Sequence, residues 1–128
     1  MKRDMDLVRA ILLLVESSDT DLMASVSIEP LKEQGYLEPQ IFHHIKLLNE
    51  AGLVEAKDSS SYNGAYWEVK ALTWEGHDFL DAAKKDSLWE KAKKTVLQKT
   101  GGLPFDVLKA TLVQLGKTVV LNEINIDP

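Results

Sequence analysis

The sequence contains no cysteine, which excludes a disulfide scaffold, a thiolate zinc site, an iron–sulfur cluster and a cysteine nucleophile. Long apolar runs are missing as well. The stretch Leu7–Val15 follows Asp4 and Asp6, is far shorter than a bilayer span, and precedes no small-residue cleavage site. Neither a signal peptide nor a membrane span is expected, and the expected compartment is the cytoplasm. Basic charge is scarce: 15 Lys and Arg stand against 20 Asp and Glu, a net charge of −5. That balance opposes the electrostatic footprint of a strong nucleic-acid binder. No internal repeat is present, and low complexity goes no further than Ser59-Ser60-Ser61, so repeat architectures are not expected.

What is present is ordinary for a globular chain. Its 128 residues are 45% hydrophobic and 27% charged, enough to bury roughly two-thirds of the unfolded surface around one core. Asp4 can cap a helix running to about Glu16, with Met5, Val8, Ile11, Leu12 and Val15 on its apolar stripe. Leu7 and Leu14 widen that stripe, so cover on two sides is expected, from within the chain or from a second copy. Ser17–Asp21 reads as a loop and Ser25–Ile28 as a short strand. Pro30 and Gly35 leave room for one helical turn around Leu31–Gln34.

A stronger helix is predicted over Glu38–Ala51, with Pro39 in its first turn and Gly52 past its end. Ile41, Ile45 and Leu48 define its buried line, His44 falls toward the apolar side, and His43, Lys46 and Glu50 lie opposite. Leu53–Ala56 and Ala65–Leu72 then make a hairpin whose loop, Lys57–Gly64, should project. Thr73 can cap the next helix. Ser87-Leu88-Trp89-Glu90 fits a capping box, with Glu90 and Lys94 placed to pair, and Gly101-Gly102 ends that helix. Pro104 begins a last helix with Phe105, Leu108, Leu112 and Leu115 on one stripe and Gly116 after it. Lys117–Pro128 is expected as an added strand or a loosely held tail.

Leu47-Leu48-Asn49-Glu50-Ala51-Gly52-Leu53-Val54 and Leu72-Thr73-Trp74-Glu75-Gly76-His77 resemble the two ends of the wing in the winged helix-turn-helix superfamily. Lys2-Arg3-Asp4-Met5-Asp6-Leu7, Leu72-Thr73-Trp74-Glu75-Gly76-His77-Asp78-Phe79-Leu80 and Leu103-Pro104-Phe105-Asp106-Val107-Leu108-Lys109-Ala110 also resemble a family of small bacterial and phage proteins known as a domain of unknown function. This resemblance covers roughly residues 1–115. It implies an α+β, mainly α fold: a winged-helix domain over 1–85 with a two-stranded wing and a helical hairpin packed on it over 86–116; the tail or added strand over 117–128 lies outside it.

The family resemblance implies a bacterial or prophage origin and carries no established activity; the winged-helix likeness implies a DNA-binding transcriptional regulator. The recognition helix would offer Gln40, His43, Lys46 and Asn49, and the wing Lys57, Ser59, Ser60, Ser61, Tyr62 and Asn63. Double-stranded DNA is the expected partner, bound weakly, because residues 1–60 carry six basic and eleven acidic side chains. The alternative is a protein-interaction module on the same fold. A homodimer is expected. The lysines of residues 84–99 leave a local net charge of +4, most simply a solvated helix face. Trp67, Trp74 and Trp89 are expected in packing roles, while Tyr66 or Trp67 becomes an interaction candidate if it reaches solvent.

No enzyme is expected, and no cofactor or metal. Adjacent His43 and His44 diverge by about 100° on a helix and cannot share one ion. Glu75-Gly76-His77-Asp78 reads as helix-start charge, and neither a nucleophile elbow nor a phosphate-binding glycine loop is present.

Overall fold

The structure, a computed structural model, describes residues 1–18 and 24–124. Two compact units follow one another, Met1–Leu80 and Asp81–Pro128. The fold is α+β and mainly helical, with one two-stranded antiparallel sheet among the described residues.

In the first unit, α1 (Met5–Ser17) begins at Asp4, whose carboxylate accepts the Asp6 and Leu7 N–H groups at 2.9 and 3.3 Å. Two donors that the first turn leaves unpaired are thereby satisfied. Met5, Leu7, Val8, Ile11, Leu12 and Val15 are all buried within the chain, while Leu14 is half-buried. The loop expected over Ser17–Asp21 extends into residues 19–23, outside the described residues.

The strand expected over Ser25–Ile28 is not formed. One ladder-like bond, from the Val26 N–H to the Val69 carbonyl at 2.9 Å, ties the segment to the sheet. The chain then turns away, because the Ile28 carbonyl already accepts from Leu31 and Lys32 as α2 (Glu29–Glu33) starts.

Helix α3 (Glu38–Glu50) buries Ile41, Phe42, His44, Ile45 and Leu48. It ends at Gly52, whose φ of +75° is left-handed. Leu53 N–H reaches back to the Leu48 carbonyl and Gly52 N–H to that of Asn49, which is a Schellman termination. The chain thus reverses at once into β1 (Val54–Asp58), paired with β2 (Trp67–Leu72).

A bulge opposite Glu55 and Ala56 puts Val54 against Leu72 and Ala56 against Val69. This explains why Val69 and Leu72, three apart, are both buried while the two residues between them are half-buried. The hairpin closes further than the sequence suggests. Ser61 and Gly64 exchange backbone bonds, leaving Tyr62 and Asn63 as a two-residue tip.

Helix α4 (Trp74–Ala83) follows. Thr73 Oγ1 accepts the Gly76 N–H at 3.0 Å, the expected cap, and donates to the Gly52 carbonyl at 2.6 Å. Gly76 lies so close to the strand entry that a Cβ there would fall on the Leu53 carbonyl.

The second unit is built on α5 (Asp86–Thr100) and α6 (Phe105–Ile124), which pack together through a short link. Trp89, Ala92 and Val96 on α5 and Leu108 and Leu112 on α6 are buried. Four expectations are corrected here. The capping box is not used: α5 starts at Asp86 with Lys85 as its cap residue and no side-chain cap bond. The Lys85 carbonyl already takes the Trp89 N–H, so Ser87 is inside the first turn. Glu90 pairs with Lys93, one turn on, at 3.3 Å.

Gly116, expected as a stop, sits mid-helix, and Lys117–Ile124 extends α6 instead of forming a strand or loose tail. A glycine stops a helix when the backbone turns left-handed after it, as at Gly101 with φ +78°. Gly116 has no such φ, so it merely weakens the helix. Residues 125–128 lie outside the described residues. No helix among the described residues is long and apolar enough to cross a membrane.

Candidate docking face of the first unit

The outward face of α3 and the hairpin tip carry the residues singled out from the sequence. Lys46 is half-exposed, and its ammonium lies 3.9 Å from the Glu50 carboxylate one turn on. His43 and Gln40 are partly covered, the His43 ring standing edge-on to His44 with centroids 5.7 Å apart. Asn49 is tied inward: its side-chain oxygen accepts the Ala56 N–H at 3.2 Å, joining α3 to β1. Beside this face, Lys32 holds Glu29 at 3.3 Å and Glu38 at 2.9 Å. Those carboxylates stabilise its charged form, so the ammonium's pKa is raised. The cations of α2 and α3 are therefore matched by acids on the same surface.

At the hairpin tip the serines are engaged within the loop. Ser59 Oγ donates to Glu68 at 2.6 Å, Ser60 Oγ accepts the Tyr66 N–H at 3.0 Å, and Ser61 Oγ accepts the Asn63 N–H at 3.2 Å. The Asp58 carboxylate accepts the Ser60 N–H, and bonds from Ser60 hold its pKa below the usual range. Lys57 is exposed opposite Glu68 in the ladder. Tyr62 at the tip is 99% exposed and Tyr66 is 53% exposed.

A concave site that local reading did not find lies behind this tip. A cleft of about 230 Å³ is lined by Ser25–Glu29, Phe42 and Tyr66–Glu68. Phe42 and Tyr66 form a tilted ring pair with centroids 4.9 Å apart. The Glu68 carboxylate is fixed by both oxygens: Oε1 accepts from Ser25 Oγ at 2.9 Å and Oε2 from Ser59 Oγ at 2.6 Å. These bonds, first Ser59 and then Ser25, hold its pKa below the usual range. Lys70 Nζ donates to the same Ser25 hydroxyl at 3.1 Å.

The tryptophans divide. Trp89 is buried, Trp67 half-buried, and Trp74, expected to pack, is 78% exposed at the start of α4. In the basic segment of the second unit, Lys93 lies over the Trp89 ring, 5.6 Å from its centroid, so that lysine belongs to local packing. Among the described residues no group of three His, Asp or Glu side chains is disposed to hold a metal.

These features define a small α+β protein with a polar, acid-rich face beside an aromatic hairpin tip. The chain belongs to the DUF2513 family of hypothetical proteins, whose model matches residues 2–102. It is 38% identical over 120 residues to an "Uncharacterized protein" of Haemophilus influenzae (strain ATCC 51907 / DSM 11121 / KW20 / Rd), covering 94% of this chain and 96% of that relative. The family resemblance read from the sequence thus holds, and it brings no activity with it. No solved structure matches.

Proposed function

We propose that the first unit is a winged-helix module whose α3 and hairpin face docks a protein partner. The element order and the packing of α1 on α2 and α3, with α3 against both strands, support the winged-helix reading. The single bond from Val26 to Val69 occupies the place of that fold's first strand.

The observation that carries the choice of partner is electrostatic. Residues 1–80 hold seven basic and fourteen acidic side chains, and Lys32 and Lys46 are each paired with glutamates on the same surface. Phosphate contacts supply most non-specific DNA affinity, so a face of this composition repels a duplex. A tyrosine-bearing tip next to an acidic cleft suits a basic protein surface, since aromatic anchors dominate protein interfaces.

DNA binding by a transcriptional regulator is the second reading. It is favoured by the partial exposure of Gln40, His43 and Lys46 along α3 and by the exposed Lys57. Fluorescence anisotropy of the full chain on random double-stranded DNA, at low and physiological salt, separates the two. Absence of binding at low salt is expected; binding that falls steeply with salt would overturn the protein-docking reading.

A further inference from the structure

Glu68 is a carboxylate held in place by two hydroxyls inside an aromatic-lined cleft. We infer that this cleft is the anchor pocket for an arginine side chain of the protein partner. The inference rests on the docking reading above and specifies its chemistry.

Size comes first. A cleft of about 230 Å³ has room for one long side chain such as that of arginine.

The carboxylate is suited to a guanidinium. It offers about four lone-pair positions, and the two serine bonds take one on each oxygen. By count, one acceptor position then remains on each oxygen, the number that the parallel N–H pair of a guanidinium takes up. The serines also fix the carboxylate's orientation before any ligand arrives, which lowers the ordering cost of binding. Tyr66, 53% exposed and braced by Phe42, supplies a ring face on which a planar cation can stack. A lysine ammonium, compact and strongly hydrated, uses neither the paired acceptors nor the ring as well.

Glu29 also lines the cleft and the first unit is strongly acidic, while Lys57, opposite Glu68 in the ladder, acts against a cation. Lys70, on the Ser25 hydroxyl, opposes a cationic ligand and provides a control. Its removal should strengthen binding of a cation and weaken binding of an anion such as a nucleotide.

The test is a titration of the ¹⁵N-labelled full chain, followed by NMR, with N-acetylarginine amide, N-acetyllysine amide and guanosine monophosphate. The arginine probe is expected to shift the amides of Ser25–Glu29 and Trp67–Glu68 saturably, with the lysine probe several-fold weaker. Glu68→Gln should weaken the arginine probe by about tenfold, the scale of one charge-assisted bidentate pair, and Lys70→Gln should tighten it. Tyr66→Ala, at an exposed position, should weaken it without disturbing the fold, which keeps the test valid if Glu68→Gln loosens the loop.

Pocket shifts absent at tens of millimolar arginine probe, equal responses to arginine and lysine, or shifts by the nucleotide alone would overturn the assignment. Arginine binding together with salt-sensitive DNA binding would overturn the parent docking reading and leave the pocket standing. Absence of both would remove the pocket alone.

Discussion

The backbone N–H of Asp4 donates to Nε2 of His44 at 2.8 Å, across forty residues of sequence, while Nδ1 of the same ring bonds the Gln40 carbonyl at 2.8 Å. Because Nε2 must accept, the proton sits on Nδ1 and the ring is neutral. His44 is fully buried, so one side chain of α3 secures the residue that caps α1.

His44→Leu should therefore cost roughly 1–3 kcal/mol, the penalty for leaving a covered N–H without a partner, read as a lower urea midpoint with an unchanged slope. The pH dependence has a definite sign. Burial, with smaller contributions from the positive charges of His43 and Arg3, pushes the His44 pKa below 6.5 against the opposing Gln40 carbonyl and Asp4. The unfolded chain thus takes up the proton first. The stabilisation is complete above about pH 6.5 and is lost as pH falls from there through the folded-state value. Urea titrations at successive pH values should show this fall in the native protein and lose it in His44→Leu. An equal slope in both would refute the buried neutral ring.

Two glycines should respond in opposite directions to the same substitution. At Gly76 an added Cβ meets the Leu53 carbonyl, so Gly76→Ala must push α4 from the hairpin entry and should destabilise by about 1–3 kcal/mol, the usual cost of overpacking. At Gly116 nothing lies within 4 Å and φ is not left-handed. Gly116→Ala should stabilise by about 0.5–1 kcal/mol through helix propensity. Thermal melts of the two variants check both; a destabilised Gly116→Ala would mean that α6 does not run through this position.

Gly52→Val tests the corner between α3 and β1. A φ of +75° costs an L-residue roughly 1–2 kcal/mol, and more when it is β-branched. A lower melting temperature is expected, with Gly52→Asn intermediate because asparagine tolerates this region. Equal melting temperatures would contradict the left-handed termination.

Much of the first unit was legible because its boundaries are written in local chemistry. Asp4, Pro39, Gly52 and Thr73 each meet a backbone requirement within four residues of themselves, and the inward turn of His44 follows from helix periodicity. Gly116 misled because a glycine marks a helix end only if the chain turns left-handed there, a choice made by the following residues. Ser25–Ile28 has the alternation of a strand but lacks the length to build a ladder before α2 begins. Trp74 follows a cap, and composition carries no signal that its ring stays outside. The cleft at Glu68 was hidden for a different reason. Its walls come from Ser25–Glu29, Phe42 and Tyr66–Glu68, three pieces that no window of sequence brings together.

On the proposed docking reading, neutralising acids on the α2 and α3 face should create affinity for DNA. Lys32 is held by Glu29 and Glu38, and Lys46 by Glu50; exposed pairs of this kind contribute little to stability. Glu38→Gln with Glu50→Gln should therefore leave the fold intact, remove two negative charges from the path of a phosphate backbone, and release Lys46 from its glutamate. The double variant is expected to bind random duplex at low salt, with an affinity that falls as salt rises. Adding Lys46→Glu and Lys57→Glu should abolish that gain. If the native chain already binds and the lysine reversals abolish its binding, α3 works as a groove-reading helix despite its acids. If the double variant stays inert at low salt, charge is not what keeps this face from DNA, and its shape must be.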